Sequence, residues 1–263
     1  MTRHTYPYLT LAERQAKPRT VGRTLVQDKG ASIAEMENIL SVCAQYIDYY
    51  KPSSIYHGIY PEEFTFRKIE ILKEHDIKPF MGGNVAELAY AQGTLEEHLA
   101  YTKDHGWEAT EISETYIKFP EALKIDLIKR CVDDGLEVFY EWGLKMPTEP
   151  LDPEQAAEDI NRYLAAGVTV AILEEGEVDM LIGRDAKGPH PERLKKLFEL
   201  VGPANLMVET NEAAQIGWFM REMGTVINIG NLNHDQVIHI EPLRYGIGRA
   251  VDYAIYDPYL DKD

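Results

Sequence analysis

Short apolar runs along the chain repeatedly end in a carboxylate, an amide or a lysine, and a loop or helix follows each one. The runs at 24–29 (TLVQDK), 108–113 (EATEIS), 138–141 (VFYE), 170–174 (VAILE), 206–209 (LMVE) and 226–231 (VINIGN) share this form, and weaker strands are predicted at 46–56 and 77–81. Between them, apolar residues recur at helical spacing. Ile33, Met36, Leu40, Cys43 and Ile47 follow a Ser32/Glu35 capping box, and Phe66, Ile69 and Leu72 follow Pro61 with Glu62 and Glu63. Thr94 with Glu97 predicts a further capped helix, and Asp152-Pro153-Glu154-Gln155 opens another. Helix stops at Gly106, Gly135, Gly167 and Gly224 each lead directly towards a strand. This alternation predicts an α/β fold, a single (β/α)8 TIM barrel. It is drawn as one domain over 1–263, with an N-terminal extension at 1–20 and a candidate active-site loop at 175–191 rich in Gly and Pro.

In a closed parallel barrel the strand ends converge on one face, so polar residues far apart in sequence meet in one pocket. Length fits this reading, since 263 residues match the roughly 250 of an ordinary barrel. Lys and Arg total 27 against 44 Asp and Glu, a formal net charge of −17. That excess argues against nucleic acid as a partner. Small anionic substrates stay open, because a few cations in a cleft reverse the local potential. No apolar stretch in the first twenty residues is long enough for a signal peptide or membrane span, which predicts a cytoplasmic protein with no membrane partner. Cys43 and Cys131 fall on apolar helix stripes and read as buried free thiols. Homo-oligomerisation is left open.

Glu141, Glu174 and Glu209 end three consecutive predicted strands, with Asp28 ending the first. Three oxygen ligands from neighbouring strands suit Mg2+, which prefers octahedral oxygen coordination and keeps several waters. The competing reading pairs these carboxylates with Lys29, Lys145 or Arg244, or with one another through a proton. Lys29 and Lys145 are candidate proton donors or anion holders, because a lysine in a dry pocket has a tunable pKa. Asp28 joins them as a candidate catalytic group. Gly82, Gly83, Gly230 and Asn231 form short turns at strand ends where backbone amides can approach a phosphate, and Arg244 would add charge. No Rossmann fingerprint, Walker loop, nucleophile elbow or zinc-helix motif is present.

These residues resemble those of the phosphosulfolactate synthase family. The matching segments are Lys17-Pro18-Arg19, 24–30 (TLVQDKG), 82–93 (GGNVAELAYAQG), 108–113 (EATEIS), Glu141-Trp142-Gly143-Leu144-Lys145, 172–174 (ILE), Glu209, 228–231 (NIGN) and 241–244 (EPLR). The resemblance implies a (β/α)8 barrel and a Mg2+-dependent lyase reaction in which sulfite adds to phosphoenolpyruvate, an early step of coenzyme M synthesis. It assigns the cation to Glu141, Glu174 or Glu209, proton donation to Lys145, and phosphate or carboxylate binding to Lys29, with the two lysine roles interchangeable. The stretch after Glu174 is acidic, with Glu175, Glu177 and Asp179. It keeps open another nucleophile adding to a phosphorylated acid, and the resemblance itself keeps open a noncatalytic stress-associated relative.

Overall fold

The computed structural model describes residues 5–53 and 55–260. Met1 to His4 of the predicted extension, and Ser54 of the second predicted strand, lie outside the described residues. Eight parallel strands close into a barrel in sequence order. They are β1 (Thr24–Gln27), β2 (Tyr49–Ser53), β3 (Lys78–Met81), β4 (Ala109–Ile112), β5 (Glu137–Trp142), β6 (Val170–Leu173), β7 (Leu206–Glu209) and β8 (Asn228–Leu232). The helices outside them are α1 (Ile33–Cys43), α2 (Glu62–Glu74), α3 (Gly83–Gln92), α4 (Leu95–Asp104), α5 (Glu121–Asp133), α6 (Pro153–Ala166), α7 (Glu175–Ile182), α8 (Pro191–Val201), α9 (Ala213–Met223) and α10 (Gln236–Arg244). The single (β/α)8 barrel read from the alternation is the fold observed.

Strand alternation sorts the side chains into two layers. Leu25, Tyr49, Phe80, Ala109, Phe139, Val170, Ile172 and Met207 pack together inside the barrel. Val26 and Tyr50 instead face outward, against Met36 and Leu40 of α1 and Ile71 and Leu72 of α2. The residue two places beyond an interior one therefore rises on the same side toward the C-terminal mouth. This rule carries Glu111 above Ala109, Glu141 above Phe139, Glu209 above Met207 and Lys51 above Tyr49.

Local sequence explains most helix ends. Ser32 accepts from the Glu35 amide while Glu35 reaches back to the Ser32 amide, closing the predicted capping box. Asp152 caps α6 through the Glu154 and Gln155 amides. Thr94 precedes α4 without a side-chain cap bond, and its hydroxyl turns to the Ala89 carbonyl instead. The reason is an unpredicted helix, α3, which fills 83–92 and makes Thr94 part of a tight α3–α4 turn. The predicted loop at 175–191 is also half helix: α7 begins directly after Glu174, and only 183–190 is irregular.

Residues 14–19 of the predicted extension pack under the barrel. Arg14 pairs with Glu241 at 2.7 Å and Arg19 with Asp48 at 3.1 Å, both buried at the N-terminal face. Cys43 and Cys131 are buried free thiols, as expected. Among the described residues no helix is long and apolar enough to cross a membrane.

Candidate functional site at the barrel mouth

Three buried carboxylates meet at the C-terminal mouth. Glu111, Glu141 and Glu209 each offer an oxygen within 4.8 Å of the others. Each is held from a different side. Glu111 accepts from Lys51 Nζ at 2.8 Å and from the Gly83 amide at 3.1 Å. Glu141 accepts from the Thr115 hydroxyl at 3.1 Å. Glu209 accepts from the Asn231 amide group, whose own oxygen has no partner among the described residues. A fourth carboxylate, Glu174, sits beside the cluster and accepts from Lys145 Nζ at 2.9 Å.

Burial, and after it the crowding of like charges, raises the proton affinity of the cluster. Burial first, and then the charges of Glu209, Glu111 and Glu174, hold the Glu141 carboxyl well above the usual carboxylate range. Glu209 is pushed up to about 8, chiefly by burial, with Lys51 opposing and Glu174 and Glu111 adding to the rise. Burial alone would lower Lys51, but Glu111, Glu209 and Glu141 outweigh it and keep the ammonium charged. Lys145 is likewise raised: burial works against its charge, and Glu141 and Glu174 prevail.

Four carboxylates face two ammonium groups at this mouth, so Glu141 and Glu209 have no ammonium partner of their own and hold their protons tightly. The donor set fits a divalent cation of oxygen preference: three carboxylate oxygens in reach of one centre and an orphaned amide oxygen nearby. The residues Gln27, Lys51, Gly82, Gly83, Asn84, Glu111, Glu141, Lys145 and Asn231 enclose a cavity of about 50 Å3 here. Larger hollows lie elsewhere, about 480 Å3 beneath the β2–α2 connection and about 890 Å3 under the N-terminal face. Neither contains the carboxylate cluster, so chemistry and not volume marks the mouth as the site.

The family described as (2R)-phospho-3-sulfolactate synthase (ComA) matches residues 12–249. The chain belongs to that family. Among relatives of this synthase family, the phosphosulfolactate synthase of Methanocaldococcus jannaschii is 32% identical over 232 residues, covering 86% of this chain and 92% of that one. That of Methanothermobacter thermautotrophicus is 26% identical over 238 residues, with 89% and 92% covered. A protein named heat-stress-associated 32, from Arabidopsis thaliana, is 21% identical with 88% of each chain covered. Among solved structures, a deoxyribose phosphate aldolase from Aeropyrum pernix superposes with a TM-score of 0.56 at 13% identity, covering 87% of this chain and 92% of that one. At that identity the likeness speaks for the barrel alone.

Within this synthase-family barrel the sequence-predicted residues separate into three places. Glu141, Glu209, Lys145, Gly82, Gly83 and Asn231 stand at the mouth. Glu174 stands there too, but its carboxylate is engaged by Lys145, and Glu111 takes the position in the three-carboxylate cluster that the sequence had suggested for Glu174. Gly230 lies one step deeper: a Cβ there would meet Met207 Sδ at 2.9 Å, so it leaves room for the barrel core.

Asp28, Lys29 and Arg244 fall elsewhere. Asp28 continues the outward side of β1, two places beyond Val26, and is fully buried behind the barrel wall. There it accepts from Lys68 and from the amides of Gly30 and Ala31 at 2.7 and 2.8 Å, with His57 Nε2 at 4.0 Å. Lys29 is exposed and does not line the mouth cavity. Arg244 ends α10, which runs from the mouth back to the opposite face. Its Nη1 donates to the carbonyls of Thr225 and Ile227, both at 2.8 Å, just before β8. Its role is to tie α10 to the N-terminal end of the barrel, where burial and the neighbouring Arg14 lower its pKa to about 9.

Among the mouth residues that sequence reasoning passed over, Lys51, Glu111 and Thr115 belong to or touch the carboxylate cluster. Period-two counting from Tyr49 and from Ala109 was the available signal for the first two. Pro52 beside Lys51 obscured the strand. Thr115 sits in the β4–α5 connection, where no periodicity reaches.

Proposed function

We propose that this chain adds sulfite to phosphoenolpyruvate with Mg2+ present, giving phosphosulfolactate. The observation that carries the reading is the buried Glu111, Glu141 and Glu209 cluster flanked by Lys51 and Lys145, in a chain of the phosphosulfolactate synthase family. The reaction forms a bond from sulfur to the methylene carbon, breaks the carbon–carbon π bond, and delivers a proton to the carbon bearing the phosphate. Negative charge spreads onto the substrate carboxylate on the way. A divalent cation held by Glu111, Glu141 and Glu209 would supply electrostatic stabilisation of that charge.

The chain's own groups cover the remaining needs. Lys51, fixed by Glu111, is placed to receive the substrate carboxylate or phosphate, a role better suited to it than to exposed Lys29. Lys145 carries the proton. Its ammonium is held charged by Glu141 and Glu174 against the effect of burial, so any screening of those carboxylates lets burial prevail and makes Nζ a better acid. Lys145 is also partly exposed, with 44% of its side chain open, which allows proton exchange with solvent between turnovers. Glu174 holds Nζ over the cluster.

Phosphorus NMR of the protein with phosphoenolpyruvate, sulfite and Mg2+ tests the proposal. Appearance of a new phosphate monoester signal that needs all three supports it, and its absence ends it. One observation favours a second reading, with a different nucleophile: Glu175 and Glu177 open α7 beside Glu174, and Lys51 and Lys145 are the only cationic side chains lining the mouth cavity among the described residues. A neutral nucleophile would be repelled less than sulfite. A panel of nucleophiles in the same assay distinguishes the two.

A further inference from the structure

Helix α3 governs two of the three cluster carboxylates from one of its faces. Its first residue, Gly83, donates its amide to Glu111 Oε1 at 3.1 Å. A Cβ at Gly83 would lie 2.5 Å from Ser113 Oγ and 2.9 Å from the Ser113 backbone nitrogen, so only glycine lets the helix start this close to the end of β4. One turn later on the same face is Glu87, an acidic side chain with 2% exposure that does not reach the mouth. It accepts from the Ser113 hydroxyl at 2.5 Å and from the amides of Thr115, Tyr116 and Ile117 at 3.0, 2.7 and 2.7 Å. Both oxygens are doubly engaged. Three successive amides converging on one buried carboxylate fix the backbone of the β4–α5 connection at the residue whose hydroxyl donates to Glu141. The far end of the same connection is held separately, by Glu114 accepting from the Phe119 amide, Tyr140 and Lys124 at 2.8, 3.0 and 3.0 Å.

We infer that Glu87 is a positioning residue for the mouth, acting through Thr115: it sets the Thr115 hydroxyl on Glu141 and thereby tunes how tightly the three-carboxylate cluster holds a divalent cation. This rests on the reading that the cluster takes such a cation. The physical ground is that Glu141 stands among like charges, and rotation of its carboxylate away from Glu111 and Glu209 relieves repulsion. The hydrogen bond from Thr115 opposes that rotation and partly neutralises the oxygen it touches. Partners of this kind behind a metal ligand are worth about 10-fold to 100-fold in affinity.

Mn2+ titrations of the full chain, followed by the loss of the free-ion electron paramagnetic resonance signal, test the inference without reference to turnover. Thr115→Val is expected to weaken Mn2+ binding about 10-fold with an unchanged melting temperature in EDTA, and Thr115→Ser to restore it. Glu87→Gln is expected to weaken binding to a similar degree, and the double variant to be no weaker than the worse single one, because both changes act through one hydrogen bond. Wild-type Mn2+ affinity in Glu87→Gln overturns the role of Glu87, and should that variant fail to fold, Glu87→Asp, which keeps the charge but draws it back from the Thr115, Tyr116 and Ile117 amides, is read in its place. Wild-type affinity in Thr115→Val, or equal loss in the valine and serine variants, overturns the role of the hydroxyl while leaving the cation site standing. A wild-type protein that leaves the Mn2+ signal unchanged overturns the cation site and this inference with it.

Discussion

Removing one charge from the cluster should stabilise the cation-free protein, and Glu209→Gln is the cleanest way to do it. The glutamine keeps an oxygen for Asn231 and nearly the same volume, and Lys51 keeps its partner Glu111. Glu209 is raised from 4.5 to about 8 in the folded chain. An acid raised on folding binds its proton more tightly in the native state, so its contribution is harmless below pH 4.5 and becomes increasingly destabilising as pH climbs toward 8. At about 1.4 kcal/mol per tenfold change, the full rise caps the penalty at about 5 kcal/mol. The cluster carboxylates titrate as interacting groups, and solvent at the open mouth screens part of the repulsion, so about 2 kcal/mol is the expected net. For a chain of this length that is a gain of about 4 °C in Tm at about pH 8.5 in EDTA, shrinking at about pH 6. Thermal melts followed by circular dichroism read both values. Mg2+ should raise the wild-type Tm at the higher pH and leave Glu209→Gln nearly unmoved, since a ligand stabilises only the state that binds it. A variant that melts at or below wild type at high pH in EDTA would refute the claim that like-charge crowding strains this mouth.

Three further outcomes follow from particular contacts. Lys145→Gln should lower turnover by about 10²-fold to 10⁴-fold while Mn2+ binds at least as tightly as in wild type, because an opposing positive charge beside Glu141 and Glu174 is lost, read by phosphorus NMR rates and the same paramagnetic titration. Gly176→Ala should damage the site from behind, because a Cβ there would lie 2.4 Å from the Lys145 carbonyl and 2.5 Å from that of Leu144. The helix or the Lys145 loop must move, at a cost of about 1–3 kcal/mol, and the rate should fall with Tm. Arg244→Met should cost about 3 kcal/mol by stranding the Thr225 and Ile227 carbonyls and unbalancing Glu241. Its KM for phosphoenolpyruvate should equal wild type in initial-rate assays, and a large rise in KM would return Arg244 to the list of phosphate ligands.

The barrel was legible because its signals are local and repeated. A strand that alternates, a helix that caps, and a glycine stop each write themselves into a few adjacent residues, and eight repetitions make the pattern hard to mistake. Helix α3 escaped because GGNVAELAYAQG opens on two glycines and carries no side-chain cap, so its start reads as a loop. The stretch after Glu174 escaped for a related reason. Its acidic residues and Gly176 look irregular, yet Glu177 turns inward to accept from the Leu144 amide at 3.0 Å, and Gly176 is the residue that lets α7 lie against the Lys145 loop.

Site membership was harder, because identity of a residue says nothing about which end or side of the barrel it occupies. Asp28 and Glu209 both close apolar strands, but Glu209 lies two places beyond an interior residue, Met207, while Asp28 lies two places beyond an outward one, Val26. The parity of one position turns the first into a cluster member and the second into a buried anchor for Lys68. Arg244 differs from a mouth residue by the length of α10, which carries it to the far face. Glu174 has the right parity, yet it also immediately precedes α7, and there the flexible stem of Lys145 reaches it first. Ion pairing then follows proximity: Lys51 takes Glu111, Lys145 takes Glu174, and Glu141 and Glu209 are left facing each other with no cation of their own. A chain with net charge −17 has no shortage of carboxylates, so their number never marked the site. What marks it is that folding places two of them where no lysine or arginine follows, so they crowd each other and hold their protons far more tightly than an ordinary carboxylate.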